Sequence, residues 1–385
     1  MHKLFSFTGP KKIVFGNGSF SSLATQVKEL GAKNPLILLD DALLSLGFPE
    51  KLKAIFNEAG LKYTVFSDIA PEPRLEMADQ GASIAVKHSC DIVIGIGGGS
   101  AMDTGKAVAI LITNGGKAGD YVGLNNVPKA GLPTIMVPTT AGTGSEATFT
   151  AVFINDKLKK KQGINSPFLY PDLALLDPLL TLSVPSSVTA TTGVDALCHA
   201  LESYTSIISS PLSEMFSLEA IQLIGENIRT CVHNGGDIEA RSKMLLGSLY
   251  AGLGLANAGV TAVHSLSYPL GGRYGVPHGL ANATLLCAVM DYNLVGALPK
   301  FAKVAKALGE KTDDLSVSDA AEAALQAVEL LVADCNIGAK LQDFGVTEQD
   351  LPAMAKEAME VARPLANNPR KLGVDDAVSI YQSVL

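Results

Sequence analysis

The alternation of predicted strands and helices is the feature that most constrains the fold of this chain. From Ile13 to about Asp177, short apolar runs rich in β-forming residues alternate with amphipathic helical stretches. Apolar strands that alternate with helices indicate a mostly parallel sheet covered on both faces. The predicted strands are residues 12–15, 35–40, 62–66, 91–96, 134–137 and 147–154. The predicted helices between them are residues 19–30, 49–59, 74–88 and 100–113.

After Pro185 the pattern changes, because helical periodicity continues and no convincing strand follows. With 385 residues, the chain is long enough for two domains. We therefore predict an α/β domain over residues 1–182 and an all-helical domain over residues 183–385. The predicted helices of the second domain are residues 187–206, 211–228, 238–256, 279–291, 299–307, 317–333 and 346–362.

One aspartate and three histidines of the helical half form a candidate metal site. Asp195 and His199 are four residues apart in a predicted helix, so their side chains leave the same face. His264 and His278 can join them from other segments. One carboxylate and three imidazoles suit Fe(II) or Zn(II) with a position left open for substrate. The alternative for each histidine is a hydrogen-bonded core residue. A site that faces the first half of the chain would lie in an interdomain cleft.

A glycine-rich turn directly follows the predicted strand over residues 91–96. It comprises Gly97, Gly98, Gly99 and Ser100, and we expect Ser100 to cap the next helix, with Asp103 completing a capping box. Glycines permit a tight turn and close backbone approach, and a helix N-terminus offers free N–H groups and a positive dipole end. The turn is therefore a candidate pyrophosphate site, although three glycines can also be a turn alone.

Asp40 ends an earlier apolar strand, where its carboxylate could accept hydrogen bonds from a ribose and repel a 2′-phosphate. This arrangement favours NAD over NADP, and a helix N-cap is the alternative role. The acid of a standard Rossmann fingerprint follows the glycines, whereas Asp40 precedes them. The domain is therefore Rossmann-like but non-standard. A second polar loop, residues 138–146, also follows a strand and suits a phosphate or the nicotinamide ribose; its hydroxyls include Thr139, Thr140 and Thr143. A structural Ser/Thr turn is the alternative for this loop.

The composition excludes several partners. A formal net charge of -8 argues against nucleic acid and against an anionic membrane, since both need a basic surface. Five scattered cysteines fit a reducing cytoplasm and give no thiolate metal site, and the N-terminus lacks the apolar run of a signal peptide. Residues 244–272 include no charged side chain, and we expect a helix buried in a soluble domain there rather than a membrane span.

Taken in order, these motifs resemble those of the iron-containing (group III) alcohol dehydrogenase family, within the wider dehydroquinate synthase-like fold. The resemblance covers essentially the whole chain and is carried by residues 15–19, 97–106, 138–146, 177–178, 193–202 and 277–279. It implies metal ligands at Asp195, His199, His264 and His278. The cofactor positions it implies are Asp40, Gly98, Gly99, Ser100, Asp103, Thr139, Thr140, Thr148 and Lys161.

Two residues depart from the family pattern. Tyr268 stands where well-known members have a histidine four residues after the third ligand, and Glu72 stands where many have an asparagine between two prolines. A tyrosine can relay a proton, but with a much higher intrinsic pKa than histidine. We therefore name Tyr268, together with the ligand His264, as the candidate catalytic residues.

Residues and resemblance together predict an NAD(H)-linked, metal-dependent alcohol dehydrogenase or aldehyde reductase for a small primary alcohol or aldehyde. The metal, Fe(II) or Zn(II), would act as Lewis acid for hydride transfer. Alternatives are a glycerol-type polyol dehydrogenase, a non-catalytic NAD-binding protein, and a lyase of the dehydroquinate synthase kind. The lyase needs a basic pocket, and near the ligands the sequence offers Arg273 and Lys243. We expect a cytoplasmic homodimer or larger homo-oligomer.

Overall fold

The structure, a computed structural model, describes residues 4–155 and 160–385. The chain divides into an α/β unit, Gly9–Ser183, and a helical unit, Val184–Leu385, which also includes residues 4–8. In the helical unit, the Thr8 backbone N–H donates to Asn257 Oδ1 at 2.8 Å, and the Phe7 ring stacks on Phe216.

The α/β unit is built on a six-stranded parallel sheet in the order β1-β9-β6-β4-β2-β3. A second, three-stranded sheet in the order β5-β8-β7 contains the antiparallel pair β7–β8. The strands are β1 (Lys12–Phe15), β2 (Pro35–Leu39), β3 (Thr64–Phe66), β4 (Ile92–Gly97), β5 (Gly123–Leu124), β6 (Thr134–Pro138), β7 (Thr150–Asn155), β8 (Lys160–Asn165) and β9 (Leu173–Leu176).

Side chains of one central strand enter two different cores, as expected for a sheet covered on both faces. Leu36 and Leu38 of β2 lie in one apolar cluster, and Ile37 and Leu39 lie in the other. The helices of this unit are α1 (Leu23–Glu29), α2 (Phe48–Ala59), α3 (Leu75–Lys87) and α4 (Gly99–Asn114). Short 3-10 helices are Ser19–Ser22, Asp41–Leu46, Ala118–Tyr121, Ser145–Ala147, Pro167–Leu169 and Pro178–Thr181.

Three strands were not predicted from the sequence: β5, β8 and β9. The most consequential is β9, which pairs with both β1 and β6 and so lies inside the main sheet. Its sequence, LALL, is four residues long and consists of good helix formers, so local propensity gives little strand signal. Burial of all four side chains and pairing on both edges override that propensity.

The helical unit has ten α-helices among the described residues, and no strand lies in that part of the chain. They are α5 (Ser186–Thr205), α6 (Pro211–His233), α7 (Ile238–Ala258), α8 (Ala262–Tyr274), α9 (His278–Leu294), α10 (Leu298–Ala307), α11 (Val317–Asp334), α12 (Leu351–Met359), α13 (Ala362–Asn367) and α14 (Val374–Ser383). Two 3-10 helices, Leu341–Phe344 and Glu348–Asp350, precede α12.

The uncharged segment over residues 244–272 is two helices rather than the single helix we expected. α7 ends at Ala258, Gly259 follows with a φ of 69°, and α8 leaves at a bend of 102°. A positive φ cannot continue a right-handed helix, which explains the break. Over the described residues, no single helix is long and apolar enough to cross a membrane; the bent pair α7 and α8 together meets that test by length and composition alone.

Candidate functional site

Helix α5 presents Asp195 and His199 one turn apart on one face. Both side chains are buried, as is every residue of α5 from Gly193 to Thr205. Neighbouring helices pack closely enough that a Cβ on Gly193 would lie 2.8 Å from Ile228 Cδ1. The polar pair is therefore held on a helix that is buried on all sides along its second half.

His264 on α8 and His278 at the start of α9 complete the set. One ligand atom from each of the four side chains lies within 4.8 Å of the others, and His199 Nε2 is 3.9 Å from Asp195 Oδ1. Ligands at 2.0–2.2 Å from a tetrahedral metal are themselves roughly 3.3–3.6 Å apart. The donor set and its spacing therefore fit one divalent cation after a small contraction.

The carboxylate in this set is held in its charged form. Burial alone would raise the pKa of Asp195, but the electrostatic interaction with the three imidazoles and a hydrogen bond from Asn282 outweigh burial and lower this pKa to about 2. Burial raises the pKa of the Cys198 thiol well above its ordinary value, and the charges of Glu202 and Asp195 add to that effect. The thiol is therefore protonated, and Cys198 is not among the four side chains whose ligand atoms converge here.

Two polar residues beside the ligands were not predicted from the sequence. Asn282 follows His278 by one turn of α9, and its Nδ2 donates to Asp195 Oδ1 at 2.7 Å. Glu202 follows His199 by three residues on α5, and its carboxylate forms a short hydrogen bond with His264 Nδ1. Their spacing from His199 and His278 was the sequence signal that could have identified them, since helical residues three or four apart share a face.

Tyr268 follows His264 by one turn of α8, and its ring centroid lies 6.3 Å from that of His278. Burial raises the pKa of Tyr268 to about 12; the charge of Glu202 raises it further, and that of Arg363 opposes the rise. The phenol is therefore protonated at neutral pH and can donate a hydrogen bond, but it is a poor base.

In the α/β unit, several predicted cofactor residues lie at the carboxyl ends of three adjacent strands, β2, β4 and β6, whereas Asp103 lies within α4 and Lys161 within β8. The Asp40 N–H donates to Ile96 O at 3.1 Å, and the Thr139 N–H donates to Gly97 O at 2.9 Å. Asp40 also caps a 3-10 helix, since its Oδ1 accepts from Ala42 N. We call this edge the cradle; it comprises Asp40, Gly97, Gly98, Gly99 and the loop over residues 138–146.

Two of the three glycines are required by close contacts between the loops of the cradle. Gly97 has a φ of +148°, and a Cβ there would lie 2.7 Å from Asp40 Cβ. A Cβ on Gly99 would lie 2.9 Å from Thr143 Cγ2. A Cβ on Gly98, by contrast, would have Thr140 Oγ1 as its nearest atom, at 3.8 Å. The space beside Gly98 is therefore open.

The predicted capping box of Ser100 and Asp103 is wrong. Helix α4 begins at Gly99, its N-cap is Gly98, and no side chain caps it. The Asp103 carboxylate instead accepts from Ser145 Oγ at 2.5 Å and from the Val152 N–H at 2.8 Å. Because no side chain occupies them as a cap, the first N–H groups of α4 can serve an anion.

Lys106, also missed, links α4 to the second loop and to β7. Its fully buried Nζ donates to Ser145 Oγ at 2.7 Å, Thr148 Oγ1 at 3.1 Å and Thr150 O at 3.0 Å. Asp103 and Thr148 thus belong to a network that holds the two loops of the cradle together. Whether they also contact a cofactor stays a prediction.

Lys161 lies on β8, opposite Ile154 of β7. Its Nζ forms an ion pair of 2.6 Å with Glu72 Oε2, and the Lys161 side chain is 6% exposed. The residue that departs from the family pattern is thus the partner of a predicted cofactor position.

Comparison with known proteins agrees with this architecture. The family model of iron-containing alcohol dehydrogenases matches residues 10–178, and that of the Fe-containing alcohol dehydrogenase family, C-terminal part, matches residues 189–385. The chain belongs to the iron-containing alcohol dehydrogenase family and is an enzyme of the alcohol dehydrogenase type. The predicted family and fold class are confirmed.

Individual relatives match over nearly their whole lengths. The chain is 39% identical to long-chain-alcohol dehydrogenase 1 of Geobacillus thermodenitrificans, over 96% of this chain and 93% of that protein. It is 36% identical to an NAD-dependent methanol dehydrogenase of Bacillus methanolicus, over 99% and 100%. A crystal structure of a 1,3-propanediol oxidoreductase superimposes with a TM-score of 0.96 at 36% identity, covering all of both chains.

Proposed function

We propose that this protein is an NAD(H)-linked, metal-dependent alcohol dehydrogenase or aldehyde reductase that acts on a small primary alcohol or aldehyde. The observation that carries the proposal is the convergence of Asp195 with three imidazoles within 4.8 Å in the helical unit. The cradle of the α/β unit supports the cofactor assignment, and similar proteins bear the names of alcohol-acting enzymes, one of them NAD-dependent.

The residues of the chain bind and orient the reactants. The N–H groups that begin α4 would bind the pyrophosphate, and Asp40 would accept hydrogen bonds from the ribose hydroxyls. The four ligands would hold Fe(II) or Zn(II), which, when bound, supplies a Lewis acid that favours the alkoxide of an alcohol, while NAD(H) supplies the hydride acceptor or donor. Asp195, His199 and His264 are buried, which limits the contact of these three ligands with bulk water.

Tyr268 would act as a hydrogen-bond donor to the substrate oxygen and not as a base. Its raised pKa, caused first by burial, keeps the phenol protonated over the neutral pH range. A proton that leaves an alcohol would therefore travel through a cofactor hydroxyl or water, and Tyr268 would orient the oxygen at one end of that path.

The lyase alternative, which the fold and cofactor suggest, needs a basic pocket, and the two cations considered for that pocket give it no support. Arg273 Nε lies 2.7 Å from Glu357 Oε2, and Lys243 Nζ lies 3.1 Å from Glu239 Oε1. Each cation already has a carboxylate partner, so neither is available as the centre of a phosphate pocket without breaking an ion pair.

The decisive experiment measures NADH oxidation by metal-stripped protein, anaerobically, with Fe(II) or Zn(II) added back. The substrate panel spans neutral, hydroxylated and anionic short aldehydes, with glycerol and NAD tested in the reverse direction for the polyol alternative. We expect activity only with added metal. Equal rates with and without metal, or silence of the whole panel with metal bound, would refute the proposal. The predicted homodimer or larger oligomer, and the cytoplasmic location, stay predictions; light scattering tests the first.

A further inference from the structure

Glu202 lies on the same face of α5 as the two ligands of that helix. It follows Asp195 by seven residues and His199 by three, which places the three side chains along one stripe. It is 3% exposed. Glu202 is not one of the four side chains whose atoms converge on a common point, so its buried carboxylate needs another explanation.

The two oxygens of Glu202 serve different partners. Oε1 accepts from the Thr261 N–H at 3.0 Å, from Thr261 Oγ1 at 2.8 Å and from the Val263 N–H at 2.8 Å. Thr261 is the N-cap of α8, but its side chain accepts no hydrogen bond from the first N–H groups of that helix. Glu202 therefore caps α8 from another helix. Its other oxygen, Oε2, forms the short hydrogen bond with His264 Nδ1.

This second contact decides which nitrogen of His264 carries a proton. The backbone N–H of His264 also donates to Oε1, at 3.5 Å. A carboxylate that already accepts four hydrogen bonds at one oxygen acts as an acceptor at the other, so Nδ1 is the donor. The neutral imidazole then leaves Nε2 with its lone pair. Asn282 Nδ2, a donor, lies 3.2 Å from that Nε2, which agrees with this tautomer.

We propose that Glu202 is a positioning residue of the metal centre: it fixes His264 in the Nδ1–H tautomer and in the orientation that turns Nε2 toward the other three donors. The inference rests on the proposed metal site and adds Glu202 as a residue that acts on the site through His264 and is not itself a ligand. Because the same carboxylate caps α8, the start of that helix and the ligand on its first turn are set by one side chain.

Glu202→Gln separates this role from capping. The amide oxygen can still accept from Thr261 and Val263, whereas the NH₂ group now faces His264 Nδ1 and favours the tautomer protonated at Nε2. That proton points at the other donors and competes with a metal. Thr261→Val is the matched control, because it removes one donor to Oε1 and leaves the carboxylate beside His264 unchanged.

The measurements are Zn(II) affinity by competition with a chromogenic chelator, the visible spectrum of the Co(II)-loaded protein, and the melting temperature of metal-free protein. For Glu202→Gln we expect Zn(II) binding about 10- to 100-fold weaker and an altered Co(II) spectrum. For Thr261→Val we expect a lower melting temperature with wild-type metal affinity and spectrum. Wild-type affinity and spectrum in Glu202→Gln would overturn the inference alone, whereas absence of Zn(II) binding by the wild type would overturn the proposed function.

A second test observes the His264 tautomer directly in the wild-type chain, with His264→Ala used to assign the signal. NMR of Zn(II)-loaded protein with ¹⁵N-labelled histidine distinguishes protonated from metal-bound ring nitrogens, and the chain has only six histidines. We expect one ligand histidine with a strongly hydrogen-bonded Nδ1–H and a metal-bound Nε2, and its signal disappears in His264→Ala. A His264 bound through Nδ1, or without a proton on Nδ1, would overturn the inference.

Discussion

Replacing Gly98 by alanine should weaken nucleotide binding without weakening the fold. Gly98 is the N-cap of α4, with φ -77° and ψ -168°, a conformation that alanine adopts freely. A Cβ there would lie 3.8 Å from Thr140 Oγ1 and 4.0 Å from Asp40 Oδ2, which are ordinary contacts. Gly-to-Ala replacement at a compatible position gains about 0.4–1 kcal/mol through the unfolded chain, and the poorer preference of alanine for an N-cap offsets this gain, so the melting temperature should stay near that of the wild type.

The same methyl group would stand where a phosphate approaches the first N–H groups of α4. Those hydrogen bonds need a donor–acceptor distance of about 2.7–3.2 Å, which leaves no room for an intervening carbon. Loss of one hydrogen bond to a charged group costs about 1.5–3 kcal/mol. Binding of NADH should therefore weaken roughly 10- to 150-fold.

Titration of NADH fluorescence measures this loss directly, and the chain has no tryptophan to interfere. Gly119→Ala is the matched control, since a Cβ there meets nothing within 4 Å. Gly99→Ala should lose both stability and affinity, because its Cβ would meet Thr143 Cγ2 at 2.9 Å. If Gly98→Ala melts like the wild type and binds NADH equally well, the phosphate does not bind at this turn and the reasoning fails.

Three further predictions concern charge, metal and pH. Asp40→Ser keeps a cap for Ala42 but removes the charge, so the ratio of kcat/KM for NADPH to that for NADH should rise at least about tenfold; an unchanged ratio would exclude Asp40 from cofactor choice. Zn(II) at about 100 times its Kd should stabilise the wild type by about 2.7 kcal/mol in thermal unfolding, and His278→Ala should lose this gain; equal stabilisation of both proteins would remove His278 from the ligand set. Burial raises the pKa of Glu146 to about 7 from 4.5, so the folded protein holds this proton more tightly than the unfolded chain. As the pH rises from about 4.5 through 7, the free energy of unfolding of the wild type should therefore fall by roughly 3 kcal/mol relative to that of Glu146→Gln. Urea unfolding of both proteins at about pH 5 and about pH 8.5 measures this difference, and an equal difference at the two pH values would refute the prediction.

The cradle was predictable because its signals are local. Asp40 directly follows the apolar strand β2 and Gly97 ends the apolar strand β4, and parallel neighbours in one sheet bring their carboxyl ends to one edge. β9 was not predictable from its four helix-forming residues, since only pairing with β1 and β6 makes them a strand. The predicted capping role of Asp103 was wrong for the same reason, because Ser145 and Val152, which are distant in sequence, donate hydrogen bonds to its carboxylate.

The four candidate ligands could be named from residue type and spacing, but their supports could not. Glu202 and Asn282 have the right helical spacing from His199 and His278, yet many polar residues share such spacing with a histidine by chance. What distinguishes them is contact with residues far along the chain, such as Thr261 and Asp195. Sequence patterns report faces of helices, and only packing decides which faces meet.

The complete burial of α5 from Gly193 to Thr205 makes its register intolerant of insertions and deletions. One added residue between Asp195 and Glu202 would rotate every later residue of the helix by about 100°. Polar side chains before the insertion would then no longer share a face with those after it. An exposed helix could fray or loop out the extra residue, but a helix enclosed by α6, α7 and α9 has no space for the bulge. Among descendants of this chain, the seven-residue interval from Asp195 to Glu202 should therefore keep its length even where its apolar residues change.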